Sequence, residues 1–241
     1  MMEAKAEATG GAVRDWGDLP RPDPCLAPGL CRWWSEDGRS FLWRHTSDPF
    51  RTLCTEIMLQ RTRAAQVEDV YSDEVHGWTG PSSVLKLGRE GVDRLFARLG
   101  LQWRARYFWE LQRALQEKFA GRVPRDWRKL RSLPGVGEYV ATAVLVFAFG
   151  ERRTVVDSNV LRILGRYYGI EFPDHARRSR RVLEWATSHA PAGAEECRQF
   201  NWALIDLGAT VCTPSNPMHT RCPIRQGCWL ASTPREREQQ S

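Results

Sequence analysis

No apolar run in these 241 residues is long enough to span a membrane, and no segment sustains the two-residue alternation of a half-buried strand. The first absence points to a soluble chain, with no membrane partner. The second leaves helices, so the expected fold class is all-α. No basic segment followed by an apolar core opens the chain, so export is not indicated and a cytoplasmic, nucleoid-associated setting is expected. Seven cysteines in that setting read as reduced thiols or metal ligands rather than as a disulfide framework. No internal repeat beyond pairs of helices is visible.

What is present begins with charge. A formal net charge of +6 and a pI near 9.1 favour a polyanionic partner. The most informative stretch runs from Leu133 to Asp157: a Leu-Pro-Gly-Val-Gly hairpin, an apolar helix, then a carboxylate in Val155-Val156-Asp157-Ser158-Asn159. Gly135 and Gly137 lack Cβ and let the backbone turn sharply, and the following helix starts with unpaired amides, which suits a phosphate. From Tyr139 to Phe149 the chain is apolar on every face, so this helix is expected to be buried and to hold its flanks rigidly. Taken singly, a Pro-Gly pair is loop punctuation and an Asp before a helix is an N-cap. In this order and spacing, they suit an enzyme that grips a DNA backbone and works on one nucleotide.

Residues 1–28, rich in Ala, Gly, Pro and charge, read as a disordered arm, and 231–241 as a flexible tail. Asp48 and Pro49 supply an N-cap and first-turn proline for a helix to about Arg61, followed by a helix from Ala64 to Val75. Two short helices are expected between Pro81 and Leu99, and a longer one from about Arg104 to Phe119 with apolar and aromatic positions at helical spacing. Beyond the hairpin helices come segments of roughly Val160–Tyr168, His175–Ala190 and Ala194–Leu207. Most of the eleven tryptophans are expected in the core.

Leu42-Trp43-Arg44, Asp48-Pro49-Phe50, the run Glu56 to Thr62, Gly121-Arg122-Val123-Pro124, the hairpin with Asp157, Phe200-Asn201 with Asp206-Leu207-Gly208, and a cysteine-rich tail together form a wider pattern. From about Phe41 to Trp229 it resembles the helix-hairpin-helix DNA glycosylases. That superfamily includes endonuclease III, the adenine glycosylases acting opposite oxidised guanine, and the archaeal-type thymine mismatch glycosylases. The resemblance implies two helical lobes: a six-helix lobe over 50–151, and a second from 29–49 plus 152–230, with Asp157 at the cleft between them. It also implies, as partner, double-stranded DNA containing a mismatched or damaged base, bound by a monomer.

Breaking a base–sugar bond passes through an oxocarbenium-like state, which a nearby carboxylate stabilises while accepting a proton from the attacking water. Asp157 is the candidate. Glu56 sits on an otherwise apolar helix, where an inward acid is costly unless it has a partner or a task. By resemblance it contacts the flipped base or the water, with a raised pKa; otherwise it is a solvated residue or part of a core ion pair. Position 139, where endonuclease III has an imine-forming lysine, is Tyr139, and a phenol forms no Schiff base. A monofunctional hydrolase follows. By the same resemblance Tyr139 favours thymine or uracil opposite guanine, since adenine glycosylases place a serine there; its plainer role is a core tyrosine.

For DNA contact, the resemblance assigns Gln60 and Arg61 to the corner that fills the gap left by the flipped base, with Arg61 able to bond guanine O6 and N7. Gln102 takes a second intercalation-type position, and Leu133, Gly135, Val136 and Gly137 form the hairpin. Gln60, Arg61 and Gln102 equally suit a solvated surface. In the tail, relatives hold a four-iron cluster with C-x6-C-x2-C-x5-C, and here that spacing reads Cys212-x6-His219-x2-Cys222-x5-Cys228. Three cysteines and a histidine can ligate a [4Fe-4S] cluster or zinc. The inherited spacing favours the cluster; Cys197 has no supporting spacing, and Cys25, Cys31 and Cys54 read as ordinary thiols. Readings of other kinds are an adenine glycosylase for A·G or A opposite 8-oxoguanine, an enzyme for damaged or modified pyrimidines, a strand-cutting lyase, against which Tyr139 argues, and a non-catalytic helix-hairpin-helix module, which would not need Glu56 and Asp157 together.

Overall fold

A computed structural model describes residues 14–232, of which the first thirteen and last nine residues of the chain form no part. Of the described residues 64% are helical and 2% are in strands, an all-α fold. In order, the elements are β1 (Arg14–Asp15), α1 (Leu26–Asp37), α2 (Pro49–Leu59), α3 (Ala64–Asp73), α4 (Pro81–Leu85), α5 (Gly88–Arg98), α6 (Gln102–Phe119), α7 (Trp127–Arg131), α8 (Glu138–Phe147), α9 (Ser158–Tyr168), β2 (Ile170–Glu171), α10 (Arg180–Ser188) and α11 (Ala194–Thr210). Two compact units result: residues 40–155, and residues 14–39 together with 156–232.

The contiguous unit is built around α8, whose residues from Val140 to Phe147 are all buried. Such a segment forms because its apolar side chains have no polar face to turn toward water. α2 packs against α8, and α4 and α5 pack against α6. α2 begins as the sequence implies: the Asp48 carboxylate accepts from the Arg51 amide at 2.7 Å, and Pro49 occupies the first turn, where a missing N–H costs nothing. Seven α-helical segments, α2 to α8, make up this unit, among them the two short helices expected between Pro81 and Leu99 and the two helices of the hairpin, α4 and α7 being only five residues long. Residues 40–49 and 152–155 fall in this unit rather than in the split one. Trp43 packs on the contiguous core, 6.2 Å from the Tyr71 ring, and Val155 is wholly buried.

In the split unit α1 packs along α11, and α9 packs on α11. The expectation of disorder through residue 28 fails for residues 14–28; residues 1–13 and 233–241 lie outside the described residues. β1 pairs in parallel with β2, Arg14 opposite Ile170, and Asp23 accepts from the Tyr167 hydroxyl at 2.6 Å. α1 itself starts at Leu26, with Pro28 in the first turn, where proline is compatible with a helix, and with Leu26 and Leu30 fully buried. The long expected segment from His175 to Ala190 divides into a 3-10 turn at Asp174–Arg178 and α10.

Asp206 fixes α1 and its exit to α11. Its buried carboxylate accepts from Trp34 Nε1 at 3.1 Å, from the Arg39 amide at 2.9 Å, and pairs with the Arg39 guanidinium at 2.7 Å. Removing the carboxylate leaves the buried donors around it without their acceptor, while Arg39, a third exposed, keeps access to water. Asp206→Ala is therefore expected to lower stability by about 1–3 kcal/mol in urea unfolding, a loss read at the α1–α11 contact by faster amide exchange along α1.

Candidate active site

α2 carries the first candidate side chain. Glu56 is only 6% exposed, surrounded along its helix by buried Thr55, Ile57 and Met58. Burial penalises its charged form and pushes the carboxyl up to about 7, against a smaller pull from the Arg44 guanidinium. A carboxylic acid that is half protonated at neutral pH can give or take a proton there. Glu56 is thus not a solvated helix residue.

The end of α2 turns sharply at Gln60 and Arg61. Gln60 caps the helix in extended conformation, and Arg61 is exposed at φ +60°, a left-handed backbone rare outside glycine. Arg104 on α6 holds this corner from below. It is buried, and its Nη1 donates to the Gln60 carbonyl at 2.6 Å and to that of Ile57 at 3.3 Å. Gln102, exposed at the start of the same α6, stands two residues away along the chain from this clamp.

α7 and α8 form the helix-hairpin-helix. Gly135 is exposed and turns at φ +76°, a conformation that a Cβ would strain. Gly137 opens onto free space and caps α8, so that the first-turn amides of that helix face outward from its N-terminus. Leu133 and Val136, by contrast, are each 4% exposed. Their side chains anchor the hairpin in the core and offer nothing to a ligand beyond backbone. Tyr139 lies in the first turn of α8, partly buried against the same core.

In the split unit Asp157 caps α9. One carboxylate oxygen accepts from the Val160 amide at 2.8 Å and the other from Asn159 Nδ2 at 3.0 Å. Asn159 in turn accepts from Arg162, whose guanidinium also donates to the Gly208 and Cys212 carbonyls. The plain N-cap function is therefore real, and it leaves Asp157 half-buried with its rotamer fixed.

Cys212, His219, Cys222 and Cys228 all line one cavity of about 20 Å³, closed by apolar Ile163 and Leu207. Burial pushes the Cys222 thiol up to about 11 and raises Cys228, with Cys212 adding to both and Cys228 adding to Cys222. Arg166 ties two of them, donating to Cys212 Sγ at 3.4 Å and accepting from Cys228 Sγ at 3.6 Å. Among the described residues no three metal-binding side chains stand within ligating reach of one ion. The donor set nevertheless converges on a single enclosed space.

Comparison with known proteins decides the family. The chain is 34% identical over 200 residues to a thymine/uracil-DNA glycosylase of Methanothermobacter thermautotrophicus, covering 83% of this chain and 90% of the relative. It is 31% identical to a thymine-DNA glycosylase of Aeropyrum pernix, covering 83% and 91%. This chain belongs to the helix-hairpin-helix DNA glycosylases. It is therefore a base-excision repair enzyme that hydrolyses N-glycosyl bonds in DNA. The human adenine DNA glycosylase is 32% identical but is covered over only 38% of its length. A solved thermostable thymine-DNA glycosylase superposes with a TM-score of 0.79 at 33% identity, covering 86% of this chain and 95% of that one. A trapped endonuclease III–DNA complex superposes at 0.72 with 23% identity and shares the fold. No protein-family model matches the chain.

Of the glycosylase residues read from sequence, the contiguous unit holds Glu56, Gln60, Arg61, Gln102, Tyr139 and the hairpin, with the helices of Glu56 and Tyr139 packed together. Asp157 and the cysteine loop belong to the split unit. Arg104 and the Asn159–Arg162 pair were not anticipated. An arginine at a buried helical position is the one signal that marks Arg104 in advance, since such a group is seldom buried without acceptors.

Glu56 also makes stability depend on pH. Its folded pKa exceeds its ordinary value, so the folded state retains a proton that the unfolded chain gives up between about pH 4.5 and 7. Stability falls across that window. Glu56→Gln is expected to match the wild type below the window and to exceed it by about 3 kcal/mol at pH 8, measured by urea unfolding at pH 4.5 and 8.

Proposed function

We propose that this glycosylase is a monofunctional, monomeric enzyme for thymine or uracil opposite guanine in duplex DNA. The observation that carries the reading is Tyr139, set in the first turn of α8 directly after the hairpin, where imine-forming relatives have lysine. The lysines of this chain are Lys5, Lys86, Lys118 and Lys129, none of them on α2 or α8. The thymine- and uracil-acting relatives covered over nine-tenths of their length support the same substrate class.

In this mechanism the hairpin amides at Gly135 and Gly137 hold a phosphate, and Arg61 with Gln60 or Gln102 fills the space left by the extruded nucleotide. The C–N bond breaks and its electron pair leaves with the base, which takes a proton. Glu56, protonated in part at neutral pH, is suited to supply it. Water attacks the anomeric carbon, Asp157 stabilises the positive charge developing there, and the carboxylate takes the proton that water loses. The strand is left intact at an abasic site.

The expected result on duplexes bearing G·T, G·U, A·G, A opposite 8-oxoguanine and oxidised pyrimidines is base loss at G·T and G·U, with nicks only after alkali. Asp157→Asn is expected to bind these duplexes and lose turnover by 10²-fold or more, as removal of a charge-stabilising group does. Efficient borohydride trapping of the wild type would overturn the monofunctional reading, release of adenine alone would overturn the substrate, and normal turnover of Asp157→Asn would overturn its role.

For the tail, Cys212, His219, Cys222 and Cys228 are the residues that would hold a [4Fe-4S] cluster or, alternatively, zinc. Such a group, when bound, supplies a structural cross-link of the loop. The expected measurement is about four irons per chain, with brown absorption; about one zinc in colourless protein marks the alternative. His219→Ala is expected to lower metal content and thermal stability, and full loading of that variant would show that His219 is no ligand.

A further inference from the structure

We infer that Trp103 and Tyr107 form an aromatic contact surface for the distorted DNA strand, between the corner at Arg61 and the hairpin at Gly135. This rests on the reading of the chain as a base-flipping glycosylase. Trp103 is 60% and Tyr107 46% exposed, the most exposed large apolar side chains on α6. They lie one turn apart, edge to face, with ring centroids 6.3 Å apart. An exposed aromatic pair of this kind on an otherwise buried apolar pattern calls for a partner.

Its position says which partner. At one end, the Arg104 guanidinium lies 4.8 Å from the Trp103 ring centre, and the same guanidinium clamps the carbonyl of Gln60. Trp103 is thereby seated against the Arg61 corner, whose charge Arg104 feels. At the other end, Tyr107 Cβ lies 3.5 Å from the point a Cβ on Gly135 would occupy. The two rings thus lie between the corner and the hairpin, on the course that a strand gripped at both would follow.

The surface suits that occupant better than a second copy of the chain. At 60% and 46% exposure the two side chains present only about 160–270 Å² together, short of the roughly 800 Å² per partner of a stable interface. The flanking groups are also cationic: Arg61 at the corner, and Arg128 and Lys129 exposed on α7 ahead of the hairpin. Exposed rings with flanking cations match the stacking and phosphate contacts of unpaired nucleotides, whose faces are laid open where a duplex is kinked.

The test is binding of the full chain to two duplexes, one undamaged and one carrying a tetrahydrofuran abasic analogue opposite guanine, over a salt series. Trp103→Ala and Tyr107→Ala should each weaken binding to the abasic duplex by about fivefold or more, with less effect on the undamaged one. Because the lost contact carries no charge, the slope of log Kd against log salt should not change, whereas Lys129→Ala should reduce it. Trp103→Phe should restore most of the affinity. Binding within twofold of the wild type by both alanine variants overturns the inference, as does a change in sedimentation of the free protein without a change in DNA binding. Failure of the glycosylase reading is distinct: the wild type would then release no base and bind neither duplex, and the inference would fall with it.

Discussion

Burial of α8 is the constraint on which the contiguous unit, residues 40–155, depends. A helix whose side chains from Val140 to Phe147 are all removed from water has one position in the core, so its N-terminus cannot shift without opening that core. The hairpin is joined to that N-terminus and is anchored again by Leu133 and Val136. α2 packs on the same helix, which holds Glu56 in surroundings that disfavour its ionised form. The hairpin proposed to grip a phosphate and the carboxyl proposed as proton donor are thus positioned by one buried helix.

The split unit solves its own version of the problem with polar contacts. Asp206, buried and met by Trp34 and Arg39, ties the first helix of the chain to one near its end. Asp157 is the head of a chain of hydrogen bonds through Asn159 and Arg162 to the backbone at Cys212. The carboxylate proposed for the chemistry and the loop proposed for the metal therefore share a hydrogen-bonded path within one unit. A structural cross-link in that loop would steady Arg162 and, through it, the rotamer of Asp157.

Several elements were legible because a short-range rule governs them. Asp48 with Pro49 marks a helix start wherever it occurs, and the all-apolar run after the hairpin can only be buried. Other features escaped for equally physical reasons. Pro28 and Gly29 resemble linker composition, yet proline is harmless in a first turn, and the burial of Leu26 and Leu30 stabilises α1 in spite of them. Most of the tryptophans read as core, and helical spacing does not tell which of the aromatic positions on α6 are covered: the structure buries Phe108 and Leu111 but turns Trp103 and Tyr107 to water. Leu133 and Val136 belong to the hairpin motif as anchors, a division between side chain and backbone that spacing does not reveal.

By itself the sequence determined the all-α class, the family, and the chemical identity of the groups available, because helical periodicity, helix-start signals and motif spacing are local properties. Tyr139 in place of an amine is also a fact of sequence, and it limits the chemistry whatever the fold. Only the tertiary structure decided how far Glu56 is desolvated, which side chain clamps the Arg61 corner, and which aromatic residues remain exposed. Those outcomes depend on burial and on partners distant in sequence: Arg104 meets the carbonyl of Gln60 across forty-four positions, and Tyr107 meets Gly135 across a helix and a loop. Desolvation and long-range hydrogen bonding are properties of a packed environment, and no local pattern of residues encodes them.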